Sequence, residues 1–239
     1  GRPAEDCAQA GGMTGRFFDP SEIARAYRDP LSWVSFGVDL LPVIAVFAFG
    51  WGAVPLVALY WLENLVIGVF TILRMLGTVA ANAANIFGAL FMVPFFTVHY
   101  GGFCYGHGVF LAVFAGKDDF PSPDGLVRWA LTTAPEMAWF VAAIAGVSLL
   151  YYVFDFFGRG EYRRTSLDAE MAAPYGRIIT LHVAIILGAG IAFGLGQPLL
   201  GVLLLIVIRV VFGIVFTVLR RRRRDALIAA KASVVDDDA

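Results

Sequence analysis

The chain has 239 residues, of which 59% are hydrophobic and only 15% are charged, and its mean hydropathy is +0.75. Soluble domains carry about a quarter charged residues, so this composition excludes an ordinary soluble domain and indicates a membrane protein. The two cysteines, Cys7 and Cys104, are too few for a disulfide framework.

The first 32 residues form a polar leader. They contain no basic segment followed by a short apolar core, so no cleavable signal peptide is predicted. A start signal at Pro20-Ser21 and a stop signal at Asp29-Pro30 predict a short helix over Ser21–Tyr27. Its aromatic and aliphatic side chains favour a position on the membrane surface.

Six apolar runs follow, and each is long enough to cross the hydrocarbon core, which takes about 20 residues. They are Trp33–Gly50, Val54–Leu76, Phe87–Gly116, Pro135–Phe157, Ile178–Gly196 and Leu199–Leu219. The third is too long for one untilted span, and Gly101-Gly102 predicts a bend within it. The predicted fold is therefore an all-α integral membrane protein, with about six transmembrane helices bundled over residues 33–219.

Basic residues near the ends of the runs predict the orientation. With six spans, both termini share one side with the second and fourth loops. That side carries 15 of the 18 Lys and Arg residues, and the opposite side carries only Lys117 and Arg128. Both termini are therefore predicted to be cytoplasmic, in a multi-pass protein.

Residues 220–239 are predicted to be a basic run followed by an acidic cytoplasmic tail. Arg220–Arg224 directly follow the last apolar run, which favours a stop-transfer anchor over a nucleic-acid or anionic-lipid patch. The lipid bilayer is thus the expected partner, with further membrane subunits or a second copy of the chain as alternatives. Nucleic acid is not expected.

Ionisable residues inside the apolar runs are the strongest functional signal, because each costs at least a few kcal/mol at membrane depth. All three histidines fall within the runs, and four other ionisable residues do so as well. The set comprises Asp39, Glu63, His99, His107, Asp155, His182 and Arg209.

Depth divides these residues into two layers. Glu63, His99 and Arg209 are predicted near the middle of the bilayer, where a Glu63–Arg209 ion pair would neutralise both charges. Such a pair is equally well explained as a structural lock between the second and sixth spans. The second layer, nearer the cytoplasm, contains Asp39, Asp155 and His182. For Asp155 the favoured interpretation is that its side chain reaches the water at the membrane interface.

The third run holds the densest polar sequence. Tyr100, Cys104 and His107 form one helical stripe, and His99 shares the adjacent stripe with Gly102 and Gly106. His99 and His107 are about 12 Å apart along a regular helix, so they cannot ligate one metal unless the double glycine breaks the helix.

These side chains include common ligands of transition metals. The predicted metal ligands are Glu63, His99, Cys104 and His107, and haem or another cofactor would use His99, His107 or His182. The competing interpretations are an intramembrane proton relay and histidines that hold the bundle together by hydrogen bonds.

Two segments resemble the signature of a bacterial family of polytopic membrane proteins of unknown function. They are Tyr60-Trp61-Leu62-Glu63-Asn64 and the string from Phe95 to Gly108 that contains His99-Tyr100-Gly101 and His107-Gly108. The resemblance implies a bundle over about residues 33–219, in a bacterial inner membrane, with Glu63, Asn64, His99 and His107 as its marked positions. It implies no activity.

The sequence indicates no particular enzyme class, because it has no glycine-rich phosphate loop, no His-Glu-x-x-His motif and no cysteine-pair metal motif. Two function classes stay open. The first is a membrane protein that binds a metal or haem at a buried His/Glu site, alone or as a subunit of a complex. The second is a transporter or channel with a Glu–Arg–His relay. A structural subunit without a cofactor is the fallback.

Overall fold

The computed structural model describes residues 30–117, 121–176, 178–179, 207–208 and 211, and the secondary structure in these ranges is entirely helical. The helices are α1 (Pro30–Phe49), α2 (Ala53–Ala81), α3 (Asn85–Phe114), α4 (Pro123–Leu131), α5 (Met137–Leu150) and α6 (Leu167–Ala172). A π-helical segment, Tyr151–Gly158, continues α5, and a 3₁₀ turn occupies Glu161–Arg163.

The chain divides into two compact units. One consists of residues 1–39 and 207–239, and the other of residues 40–206. The predicted leader helix over Ser21–Tyr27 and the basic tail lie outside the described residues, as does most of the fifth and sixth apolar runs. The helix packing described below belongs to the unit of residues 40–206.

Three helices of the described ranges are long and apolar enough to cross a membrane. They are α2 with 29 residues, α3 over Asn85–Val113, and the continuous helix Met137–Gly158 with 22 residues. They coincide with the second, third and fourth predicted runs. α3 continues through Gly101-Gly102 as one helix, although the double glycine predicts a bend.

α2 is the central helix of this unit. Its most apolar 18-residue stretch is 56% buried, compared with 17% for α3 and 17% for Met137–Gly158. It packs against α3, α4, α5 and α6, which together cover most of its surface. Polar side chains on α2 are therefore enclosed by protein rather than exposed to the surroundings.

The π-helical segment gives the third long helix a wider last turn. Phe156 is fully buried, whereas Phe154 and Phe157 on the same segment are exposed. The hydroxyl of Tyr152 donates a hydrogen bond of 3.2 Å to the Leu73 carbonyl and so ties the segment to α2. The apolar run Pro135–Phe157 predicts a regular helix here, because local periodicity does not distinguish the two helix types.

The amphipathic helix α4 is an additional element, because its residues lie between the third and fourth apolar runs, where no helix is predicted. The Ser122 side chain accepts a hydrogen bond from the Gly125 amide, and Pro123 occupies the first turn. Both are typical of a helix start. Leu126 and Ala130 are fully buried, and α4 packs on α2 and α3.

Candidate functional site

Glu63 is the eleventh of the 29 residues of α2, and only 4% of it is exposed. Its neighbour Asn64 is 8% exposed. These two residues lie on the best covered of the long helices that the structure describes, so both are enclosed by protein. The sequence predicted this burial for Glu63, and the structure places it on the central helix.

Trp61 connects this region of α2 to α3. Its indole N–H donates a buried hydrogen bond of 2.7 Å to the Cys104 carbonyl. The ring lies directly against Gly108, where a Cβ would be 2.6 Å from the indole Cζ2 atom. The absence of a side chain at Gly108 therefore lets the two helices approach closely enough for this bond.

Tyr100 makes a second connection one turn closer to the N-terminus of α3. Its hydroxyl donates a buried hydrogen bond of 2.9 Å to the Asn64 carbonyl, and its ring lies against Gly68. Two aromatic residues thus form hydrogen bonds between α2 and α3. On α2 these bonds involve Trp61 and Asn64, which lie before and after Glu63 in the chain. They fix the backbone that carries Glu63 relative to α3.

We predict that Gly108→Ala lowers the free energy of unfolding by about 1–3 kcal/mol, a typical cost of overpacking. The Trp61 ring cannot move aside without losing its bond to Cys104. Unfolding in mixed micelles with increasing SDS, followed by tryptophan fluorescence, measures this change.

Gly106→Ala is the matched control, because no atom lies within 4 Å of the Cβ that it would add. Its stability should be unchanged, or higher by up to about 1 kcal/mol, since alanine is the better helix former. Equal losses of stability in the two variants would show that the close contact between Gly108 and Trp61 does not stabilise the protein.

The described histidines differ in surroundings. His99 is exposed, and its ring stacks on Phe95 at 5.3 Å and meets Phe103 edge to face at 5.1 Å. His107 is half-buried, and its Nδ1 donates a hydrogen bond of 2.7 Å to the Phe103 carbonyl one turn earlier. Tyr100 and Cys104, by contrast, are buried against α2. His99 therefore lies on the outer face of α3 and not on the face that packs against Glu63's helix.

The described part of the chain does not support the prediction of a metal site. Within it, no group of three or more His, Cys, Asp or Glu side chains comes close enough together to hold a metal ion. The predicted ligands Glu63, His99, Cys104 and His107 are all among the residues searched.

The remaining predicted site residues are distributed as follows. Asp39 lies in α1, and Asp155 pairs with Arg159 at 3.0 Å on the π-helical segment. His182 and Arg209 lie outside the described residues, so the Glu63–Arg209 pair stays a prediction.

An ion-pair network at the C-terminal part of α2 was not predicted. Arg74 binds Glu170 through two bonds, Nε to Oε2 at 2.5 Å and Nη2 to Oε1 at 3.1 Å. Its Nη2 also lies 3.1 Å from Glu161 Oε2, and the Thr165 hydroxyl donates to Glu170 at 2.7 Å. The guanidinium carbon lies 4.5 Å from the centre of the Phe156 ring.

This network, which we call the Arg74 clamp, joins α2 to the 3₁₀ turn and to α6. Glu170 is only 6% exposed at its side chain, whereas Glu161 is 41% exposed. Bidentate pairing of arginine with a carboxylate is among the stronger polar interactions in proteins. Arg74 is one of the basic residues that predict the orientation, but its carboxylate partners were not predicted, because they are 87 and 96 positions away and no local spacing indicates them.

Comparison with known proteins yields one match. A family model described as "Family of unknown function (DUF6498)" matches residues 21–230. Neither the curated proteins nor the solved structures gave a match.

Proposed function

Because the chain belongs to the DUF6498 family, to which no function is assigned, we propose from its site alone that it is a membrane transport protein in which Glu63 binds a proton or a monovalent cation. This proposal takes the relay alternative of the sequence analysis and centres it on Glu63. His99 is left out of the route, since it lies on the exposed face of α3.

The burial of Glu63 within an apolar helix of spanning length is the observation that supports this function. An ionisable side chain at such a depth usually marks a pathway for ions or protons. A carboxylate carries one negative charge, and a bound proton or monovalent cation neutralises it and reduces the cost of burial. A single carboxyl group can bind either kind of cargo, and the next residue, Asn64, is a second buried polar residue on the same helix.

The other buried polar side chains of α2 extend this site toward the Arg74 clamp. Asn64, Thr71 and Thr78 recur every seven residues, which places them on one face of the helix, and all three are buried. Arg74 lies between the last two, about 16 Å along the helix from Glu63. Buried polar side chains therefore recur along α2 between Glu63 and the clamp, and they support a route for a cation on this side of the helix.

We also propose the six-span topology, with both termini in the cytoplasm of a bacterial cell and the bundle in its inner membrane. That topology requires the second and fourth loops to share a side. The Arg74 clamp supports it, because it joins the end of α2 to the residues that follow Met137–Gly158.

The test is proton flux in liposomes that contain the purified protein and a trapped pH-sensitive dye. Wild-type protein should collapse an imposed pH gradient, or a Na⁺ or K⁺ gradient in parallel assays. Glu63→Gln should abolish the flux, and Glu63→Asp should retain part of it, because the shorter side chain keeps the carboxyl group.

Glu136→Gln is the matched control. Glu136 is a half-buried carboxylate near the start of α5 that accepts a hydrogen bond from Trp51 at 3.3 Å, and it is not part of the polar face of α2. Its replacement should leave the flux unchanged. Wild-type liposomes that behave like empty ones, or a Glu63→Gln variant with full flux, would overturn the proposed function.

A further inference from the structure

Residues 161–176, which we call the strap, lie across the seam between α2 and α3. α6 within the strap contacts both helices. Leu167 belongs to a buried cluster that also contains Met75 of α2 and Ala89 of α3. The side chain of Leu167 comes so close to Gly88 that a Cβ there would be 3.1 Å from its Cδ2 atom.

The strap also reaches the region where Tyr100 bonds to Asn64. Its Tyr175 meets three rings of α3, those of Phe96 at 6.4 Å, His99 at 6.1 Å and Tyr100 at 6.3 Å. Because Tyr100 donates to the carbonyl of Asn64, the residue after Glu63, the strap extends along the seam from the clamp nearly to the site.

Two features suit the strap to movement as a unit. Its polar attachment to α2 is concentrated on Arg74, which holds Glu161 and Glu170 near opposite ends of a ten-residue stretch. The chain enters the strap through Gly158-Arg159-Gly160, and Gly160 has φ of +71°, a conformation that glycine adopts without strain. Hinges are commonly made of a few such residues at the ends of elements.

We propose that the strap is the cytoplasmic gate of the Glu63 site, closed by the Arg74 clamp and opened when the clamp releases Glu170. The gate deepens the proposed function and rests on it, since it controls access to the same carboxyl group. Closed, it covers the polar face of α2 beyond Thr71. Open, it exposes that face to water from the side where the clamp lies.

The gate is tested by the accessibility of a cysteine placed behind the clamp. Thr71→Cys is introduced into the full-length chain after Cys7→Ser and Cys104→Ala have removed both native thiols. Thr71 is 6% exposed and lies one turn of α2 deeper than Arg74. The rate of labelling by a membrane-impermeant maleimide is then measured with the clamp intact and with it weakened.

Labelling should be slow with the intact clamp. Glu170→Gln, which removes the buried partner, should raise the rate by about tenfold or more. Glu161→Gln, which removes the more exposed partner, should raise it by about two- to fivefold. The order of the two effects is part of the prediction.

Ala58→Cys in the same backgrounds separates gating from loss of the fold. Ala58 is also fully buried on α2, but it lies on the other side of Glu63 from the clamp. Its labelling should not change, whereas unfolding would expose both cysteines. An equal rate at Thr71→Cys in all clamp variants, or a parallel rise at Ala58→Cys, overturns the gate.

The labelling assay does not depend on flux. Equal labelling rates would overturn the gate while leaving the Glu63→Gln flux experiment as it stands. A faster rate in Glu170→Gln, together with wild-type liposomes that carry no cation, would support the strap as a movable cover and overturn the transport function.

Discussion

Arg74→Ala is expected to lower the free energy of unfolding by about 3–5 kcal/mol, the usual cost of removing one partner from a buried ion pair. The loss is large because Glu170 would stay buried, with a side-chain exposure of 6%, without its bidentate partner. The cation–π contact with Phe156 would be lost as well. Unfolding in SDS mixed micelles, followed by circular dichroism, measures the change.

Arg128→Ala is the matched control for this prediction. Arg128 pairs with Asp124 on α4, but the two side chains are 76% and 66% exposed. The Ser122 hydroxyl, and after it the Arg128 guanidinium, hold the pKa of Asp124 below its ordinary value. Solvent screens such a pair, so its removal should change the stability by less than about 1 kcal/mol. Losses of similar size for Arg74→Ala and Arg128→Ala would contradict the importance of the clamp.

Phe156→Ala is expected to cost about 3–5 kcal/mol, as large-to-small changes of buried aromatic residues do. Its ring is fully buried between Gly77 of α2 and the Arg74 guanidinium. Removing it opens a cavity directly below the clamp, so we also expect the strap to be held less firmly. The same mixed-micelle unfolding measures the stability.

Phe154→Ala on the same π-helical segment provides the comparison, since Phe154 is 59% exposed. Its removal leaves no cavity in the protein and should change the stability by about 0.5 kcal/mol or less. If the two phenylalanines have equal effects, the burial of Phe156 is not what stabilises this end of the bundle.

The apolar runs allow the long helices to be predicted because length and composition are enough to define a spanning helix. They do not indicate which side of a helix is covered. In α3 the stripe of His99, Gly102 and Gly106 favoured an inner position for His99, but the structure leaves all three residues exposed. The buried side is decided by Trp61 and Tyr100, whose partners on the other helix are backbone carbonyls.

Contacts between residues far apart in the sequence could not be predicted either. Backbone carbonyls carry no residue-specific signal, so the bonds at Cys104 and Asn64 leave no pattern in the sequence. The sequence around Arg74 likewise does not indicate whether its side chain is solvated or paired with Glu161 and Glu170. The burial of Glu63 was predictable because a carboxyl group within an apolar run is itself unusual.

The short connection between α2 and α3 also has a consequence for how the protein is made. Only Asn82, Ala83 and Ala84 separate the two helices, so they form a helical hairpin whose cross-contacts are fairly local in sequence. Local contacts form early during folding, and a chain emerging from the ribosome can complete them first. Trp61 and Tyr100 can therefore be in place before α5 is synthesised, whereas Arg74 must wait 96 residues for Glu170. During that interval the nascent chain carries a cation whose carboxylate partners have not yet been made, so the strap can close only after residue 170 has been synthesised.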